Sequence, residues 1–585
     1  MLNSAAQVKR PDGTKIHKHG DHYYVYHVTS AEYVKDKRYV VEKRKCVGKL
    51  IDKEKDLMCP NDNFEIYYSD QVSAFVISYP APPMFSDTLK VGSLITIRAI
   101  LDKLKIREIL ERIYGKDTTD DIIDIISYIE IGHSSAFQPY PSFMRDHLQL
   151  GKQIRSDSYI SKLLRENITD ENINEFLRQW NKLHVKPDVK IYVSFDGSNF
   201  NWEARNSNTY KEFGHVQDNQ DKPQVNIHLA LKHDDGLPLD YYTYNGSIND
   251  MSQCNIMVER LHDFGYKNIG CIFDRGYYFE DVIRWLDKME YPFIMMAVEN
   301  RKEIRELIRK NRETLLHTAT SWLDGLDVCG ITTREYLFDK ERFFHIYYDD
   351  VQAGKLKRVF MNNIGALSRE LEELKDKPIR SNATLSRFKS WFVIDIEEQI
   401  IDKTPTGKTK KTPLKEKFLR GYHRKEEKIQ EHLDSFGFFC ILTAEPLTAA
   451  ESLQLYRFRD IIEKLFRSIK WGDDFSTPGV HTDEAFDAKM HLLFITSIVY
   501  STLAQYSRKI KAETGNKREF TVPGMIDLLE GIQCTINPGG VYKRRYAITA
   551  KQKLILDKAG ITDSVIDNEI ARFNVVHKDL LKSSD

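Results

Sequence analysis

The sequence has no excess of either charge: 86 Lys and Arg stand against 86 Asp and Glu. No global field therefore draws the chain onto nucleic acid or anionic lipid, and any such partner has to be held by local patches. Paired cysteine motifs are missing as well. Cys46, Cys59, Cys254, Cys271, Cys329, Cys440 and Cys534 are scattered singly with no CxxC among them, which argues against a disulfide framework and a zinc ribbon. Long apolar runs are also absent. Met1 to Gly20 is polar without a hydrophobic signal core, and the best run, Leu492 to Ala504, is broken by Thr496, Ser497, Ser501 and Thr502 and is too short for a bilayer. A cytoplasmic protein with no membrane partner is expected, with that run a buried helix. No internal repeat is present, and 585 residues of ordinary composition suffice for several domains.

The hydrophobic period changes along the chain. Residues 22–80 alternate in short β-like bursts, such as His22 to Val28 and Arg38 to Val41, so 1–90 is expected to be a β-rich module. Its Lys35, Lys37, Arg38, Lys43, Arg44, Lys45 and Lys49 suit either phosphate contacts or a solvated hairpin. His17, His19, His22 and His27 crowd the same end, without Cys or carboxylate partners at metal-site spacing. From Val91 to about His184, apolar residues such as Leu94, Ile97, Ile100, Leu101 and Leu104 recur at helical spacing, which predicts a helical module over 91–185. Ser156 to Arg165 and Thr169 to Trp180 form either plain packed helices or a helix-turn-helix. Both modules are candidates for DNA binding.

The period then becomes two. Lys190 to Phe195 predicts a strand ending on Asp196, followed by strands at Val225 to Leu231 and Leu237 to Tyr244. A helix at Ile248 to Phe264, a buried strand at Asn268 to Phe273 ending on Asp274, a helix at Tyr278 to Met289 and a strand at Pro292 to Val298 complete a β-β-β-α-β-α-β order. Arg334 to Asp350 alternates like a hairpin. Lys403 to Lys428 is rich in Lys and Arg and broken by Pro405, Gly407 and Pro413, so it reads as a linker or as a nucleic-acid clamp. Phe436 to Thr443 is again an apolar strand, and the chain from Ala449 onward is largely helical.

Asp196 and Asp274 each end an apolar strand in this reading, at the edge where α/β sheets present ligand-binding groups. Two such carboxylates can share a divalent metal, although strands also end on Asp at ordinary turns. After Thr448, the residues Tyr456, Arg459, Glu463 and Lys470 stand at offsets 0, 3, 7 and 14. On one helix, at about 100° per residue, they fall within an arc of about 60°. Phe458, Ile461, Ile462, Leu465, Phe466 and Ile469 occupy another arc, so the helix would bury one flank and line a site with the other. The plainer alternative is a solvated face with an Arg459–Glu463 ion pair.

This spacing of Tyr456, Arg459, Glu463 and Lys470 resembles the Y-R-E-K signature of bacterial insertion-sequence DDE transposases, and Asp196, Asp274 and Glu463 follow in the chain order of an RNase H-like site. The resemblance covers about residues 186–505. It implies an α/β fold: an RNase H-like mixed-sheet catalytic domain in two parts, 186–300 and 435–510, with a β-rich domain carrying the basic segment inserted at 301–434. A small N-terminal β module and helical flanking segments complete it, with 511–585 a helical region suited to dimerisation. The separation of 189 from Asp274 to Glu463 is too long for a single connection, which fits an insertion.

The activity implied is cut-and-paste transposition. The enzyme would cleave at the terminal inverted repeats of its own insertion sequence and join the 3′ ends to target DNA by hydrolysis and transesterification. Asp196, Asp274 and Glu463 would be the catalytic residues and the ligands of two Mg²⁺ ions, with Mn²⁺ able to substitute. Tyr456, Arg459 and Lys470 would contact the DNA backbone, and Lys408, Lys410, Lys411 and Lys415 would bind DNA from the insertion. The implied partners are double-stranded DNA with terminal inverted repeats, target DNA and a second copy in a homodimer on DNA. The implied location is the bacterial cytoplasm, on the nucleoid when DNA is bound. Relatives use a Trp in the insertion to hold a flipped base, but neither Trp322 nor Trp391 aligns to it, so a hairpin intermediate stays open. A stand-alone metal-dependent DNA nuclease and a catalytically inactive DNA-binding protein are the alternatives.

Overall fold

A computed structural model describes residues 7–20, 22–34, 39–68, 84–201, 224–245, 250–379, 382–401, 414–469, 479–516 and 518–578. Two compact units result, Met1–Met84 and Phe85–Asp585.

The first unit is an antiparallel sheet of β1 (Val8–Lys9), β2 (Lys15–His19), β3 (His22–Val34), β4 (Tyr39–Asp52) and β5 (Leu57–Pro60), in the order β1-β5-β4-β3-β2. Its inward-facing Val8, Val25, Val47, Leu50 and Met58 pack with Phe64 from the helix Asp62–Tyr67, the alternation of a sheet buried on one face. The histidines are dispersed over different aromatic partners: His17 meets Tyr26, His19 meets Tyr24, and His27 stacks on Tyr67 with its Nδ1 2.8 Å from the Tyr68 hydroxyl. Among the described residues no three metal-ligating side chains are grouped to hold an ion.

The second unit begins with β6 (Thr88–Lys90) and a run of helices, and is then built on a mixed sheet. Its strands are β7 (Ile191–Asn201), β8 (Gln224–Lys232), β9 (Pro238–Asn245), β10 (Ile269–Phe273), β11 (Phe293–Met296), β12 (Trp322–Leu323), β13 (Val328–Leu337), β14 (Lys340–Tyr348) and β18 (Phe438–Thr443), the last after β15 (Pro378–Ile379), β16 (Phe392–Ile401) and β17 (Leu414–Arg424). The order is β12-β13-β14-β18-β11-β10-β7-β8-β9, with β7, β10 and β11 parallel and the other neighbours antiparallel. Every residue of β10 is buried, as a parallel strand covered on both faces requires.

Two expectations are corrected here. The first strand does not end on Asp196: β7 runs on to Asn201, because β8 keeps pairing with it from Val193 through Asn201. The hairpin at Arg334 to Asp350, expected within an inserted domain, is bonded into the large sheet, where β14 pairs with β18 over six residue pairs from Phe343 to Tyr348. The chain leaves the sheet after β14 and returns on the neighbouring β18. Between them, the helices Asp350–Leu374, Asn382–Lys389 and Glu426–Ser435 surround a small sheet, β15-β17-β16, with a separate core of Ile364, Leu371, Phe388, Phe392, Leu419 and Ile429. Part of the basic segment is thus an ordinary paired strand: Leu414 to Arg424 lies antiparallel to β16.

The long helix Asp483–Thr514, which contains the Leu492 to Ala504 run, is buried along most of its length. Residues of 91–185 and 511–585, expected as separate modules, share one core around this helix with Val225, Ile227, Leu229 and Leu231 of β8. β19 (Gln533–Ile536) pairs with β6, and β20 (Tyr542–Arg544) with β19, which fastens the segment just ahead of residue 91 to the C-terminal region by backbone bonds. No helix among the described residues is long and apolar enough to cross a membrane.

Candidate active site

Asp196 lies where β7 parts from β10: the parallel pairing of these strands runs from Ile191 to Ser194, and beyond it only β8 continues alongside. Asp274 follows β10 directly. Its carboxylate accepts the Arg275 amide at 2.6 Å and caps the short turn Arg275–Tyr277. The two residues that precede these acids, Phe195 and Phe273, stack in the core with ring centres 5.7 Å apart, so buried packing fixes both backbone positions from below. A further tie is His228, whose Nε2 lies 3.1 Å from the Tyr277 hydroxyl. Burial pushes its imidazole down to about 4, so it stays neutral at ordinary pH and braces the turn after Asp274.

The third acid arrives from the far end of the domain. A Thr448–Glu451 capping box starts the helix Ala449–Arg457. The Tyr347 hydroxyl donates to the Ala449 carbonyl at 2.8 Å, and the Arg457 guanidinium donates to that of Leu326 at 2.7 Å, so the helix is tied at its start to β14 and at its end to the turn between β12 and β13. The single straight helix expected to carry Tyr456, Arg459 and Glu463 is corrected. The chain turns at Phe458 and Arg459 before a second helix, Asp460–Ile469. The amides of Arg459 and Ile461 bond to the carbonyls of Tyr456 and Phe458, three residues back, at 3.0 and 3.1 Å. This tight turn lets the Phe458 ring settle 4.2 Å from that of His233.

Arg459 then reaches all three acids. Its Nη2 lies 3.2 Å from Asp196 Oδ2 and 3.3 Å from Asp274 Oδ2, and its Nη1 donates to Glu463 Oε1 at 2.9 Å. Tyr456 donates to Asp274 Oδ1 at 3.3 Å. Arg459 is 7% exposed and Glu463 51%, so the cluster is closed at the sheet and open to solvent at the second helix. Burial raises the Asp196 carboxyl to about 6; Arg459 opposes this rise and Asp274 adds to it. Burial alone would lower the Arg459 guanidinium, but Asp196 and then Asp274 outweigh it and hold it above its ordinary value. Burial, and after it Asp274, raises the Tyr456 phenol.

Of the residues singled out from sequence, Asp196, Asp274, Tyr456, Arg459 and Glu463 therefore meet in one place. Lys470, Lys408, Lys410 and Lys411 lie outside the described residues, and Lys415 is described only as a backbone position in β17. Sequence reasoning missed His228 and Tyr347. His228 did carry a signal, because it shares the inward phase of β8 with Ala230, opposite the phase of Val225, Ile227, Leu229 and Leu231.

The donor set suits a hard divalent cation, since it offers carboxylate oxygens and no sulfur. Asp196 Oδ2 and Asp274 Oδ2 share a single nitrogen neighbour, so they are separated by no more than the sum of their two distances to it. With the guanidinium between them the three acids are not at ligand spacing, and no cluster of three metal-ligating groups is found among the described residues. The residues fit such an ion in chemistry and convergence, provided that Arg459 gives way.

A family model described as Transposase DDE domain matches residues 192–498, more than half of the chain. No curated protein matches the sequence. Among solved structures, the chain is similar to a piggyBac transposase in a cryo-EM synaptic complex with hairpin DNA. The likeness has a TM-score of 0.30 and 8% identity over 83% of this chain and 75% of that one.

Proposed function

Because the chain belongs to the transposase DDE domain family, and is thus a DDE transposase enzyme, we propose that it acts by cut-and-paste on the ends of its own insertion sequence, as a member of the Y-R-E-K group. The observation that carries this reading is the convergence of Asp196, Asp274 and Glu463, from two strands and a distant helix, on one guanidinium. In this reading β7–β11 and β18 with the following helices form an RNase H-like core, and residues 350–435 form the inserted domain. The basic segment at Lys403 to Lys428, with Lys408, Lys410, Lys411 and Lys415, grips DNA from that insertion.

Asp196, Asp274 and Glu463 would hold the divalent ions. A bound pair of Mg²⁺ ions supplies activation of the attacking oxygen and stabilisation of the leaving one. The chain's own residues supply position. The Phe195–Phe273 stack and the capped turn at Asp274 fix the two sheet-borne acids, and the turn at Arg459 brings Glu463 to them while leaving it exposed on the side from which DNA would approach. Tyr456 orients Asp274 by its hydroxyl. Arg459 and Lys470 would bear on the DNA backbone, Arg as a fork and Lys as a point charge. Terminal-repeat DNA, target DNA and a second copy on DNA are the partners this activity requires.

The test is strand transfer. The protein with Mg²⁺ and a labelled duplex ending in the inverted repeat that flanks its gene is expected to free the 3′ end and join it to an unlabelled plasmid. Cleavage without any joined product would leave a nuclease, and neither product would leave a DNA-binding protein.

A further inference from the structure

Arg459 occupies the position that the proposed chemistry assigns to cations. Three carboxylates converge on its guanidinium, and no other cation pairs with them among the described residues. The remaining nitrogen, Nε, is buried without a hydrogen-bond partner, so the fork is committed wholly to the acids. Its backbone stands in the tight turn between two helices, with its amide bonded to the Tyr456 carbonyl three residues back. The side chain can therefore change rotamer without unwinding either helix.

Charge and distance decide what happens when a divalent ion competes. One guanidinium offsets one of three negative charges, whereas two divalent ions more than offset all three. An ion at about 2.1 Å carries twice the charge of Arg459 at two-thirds of its distance, so its pull on each carboxylate is about threefold stronger at equal screening. With both ions in place the guanidinium would face surplus positive charge and would be expelled toward the nearest anion.

We infer that Arg459 is an internal counter-ion, a positioning residue that gathers Asp196, Asp274 and Glu463 and is displaced from them when divalent cations bind, which frees its fork for a DNA phosphate. The inference rests on reading the three acids as a metal site. It assigns Arg459 two successive partners, carboxylates and then phosphate, and makes metal loading the step that switches between them.

The sign of one measurement separates this from a merely structural ion pair. If Arg459 only organised the acids, removing it would scatter them and weaken metal binding; if it competes with the metal, removing it must strengthen metal binding. Mn²⁺ affinity of the full chain, stripped with EDTA and free of DNA, can be read from the free-Mn²⁺ electron paramagnetic resonance signal for wild type, Arg459→Gln, Arg459→Lys and Asp196→Asn. Arg459→Gln is expected to bind Mn²⁺ about tenfold tighter than wild type or more, with Arg459→Lys in between because it keeps the charge but loses the fork. Arg459→Gln should also melt earlier in EDTA and recover with Mn²⁺. Equal or weaker binding by Arg459→Gln, or by Arg459→Lys if the Gln variant does not fold, overturns the inference alone, provided that Asp196→Asn binds poorly. Wild-type binding by Asp196→Asn, or none by any form, overturns the metal-site reading and this inference with it.

Discussion

Glu130 illustrates how strongly position sets the behaviour of a single residue in this chain. It lies in the helix Lys116–Gly132, 2% exposed, with Oε1 unpartnered, and burial pushes its carboxyl up to about 8 from an ordinary value of 4.5. A raised folded-state value means that the native protein holds a proton which the unfolded chain releases. The associated stability is complete below about 4.5 and is lost as pH rises through about 8, by up to several kcal/mol. Glu130→Gln, which cannot ionise, is expected to remove this slope. Its thermal midpoint relative to wild type should climb between about pH 5 and about pH 8, and parallel curves would mean that Glu130 is not buried. Nothing in the sequence marked Glu130, because its surroundings are assembled from distant segments. The acids of the candidate site were legible for a different reason: Asp274 stands just after an unbroken apolar run, and Glu463 has Tyr456 and Arg459 at fixed offsets. The contact of Arg459 with all three acids was not legible, since it depends on a turn that the residue pattern conceals.

That turn belongs to the scale of elements. The apolar phase of Phe458, Ile461 and Leu465 continues through it, so periodicity reads one helix where the backbone makes two. Periodicity is blind to bonds made three residues back rather than four. β10 shows the opposite case. A strand expected at Asn268 to Phe273 is found at Ile269–Phe273, because a short, fully buried strand bounded by Asp leaves little choice. β7 exceeds its expected end because Gly197 and Ser198 resemble a turn, and only the partner strand β8 determines otherwise. Elements are also fastened by polar groups. Asp124 accepts the amides of Leu150 at 2.8 Å and Gly151 at 2.9 Å, and it takes Arg98 Nη2 at 3.2 Å, with both side chains buried. Asp124→Ala would strand two amides and leave the buried Arg98 charge with only its longer pairing to Glu569 at 3.7 Å, so a loss of about 3–5 kcal/mol is expected. Chemical denaturation checks this: a midpoint within error of wild type would show that water replaces the carboxylate.

At the scale of the whole molecule, the mixed sheet and the helices around Asp483–Thr514 form one body, and the catalytic reading depends on how that body brings residues 196, 274 and 463 together. The balance of 86 against 86 charges leaves DNA affinity to local patches. If the segment around Lys408 is one of them, replacing Lys408, Lys410, Lys411 and Lys415 by Gln should weaken binding to all DNA sequences alike. It should also flatten the salt dependence of log affinity by up to about 0.9 for each phosphate that is no longer neutralised, whereas an unchanged slope in a titration across salt concentrations would make the segment a connector. The grouping of the second unit was only partly readable: helices and strands were recognisable locally, but the membership of the β13–β14 hairpin in the large sheet and the shared core of 91–185 and 511–585 depend on packing between remote segments. The proposed function stands or falls with Asp196, Asp274 and Glu463 as one metal-dependent catalytic site. Its most direct test is Mg²⁺-dependent 3′-end cleavage of terminal-repeat DNA by Asp196→Asn, Asp274→Asn and Glu463→Gln, with DNA binding measured in parallel. Each variant is expected to bind the DNA near normally and to lose cleavage by about three orders of magnitude or more, because the three acids act as a unit; wild-type cutting by any one of them would rule out a shared site.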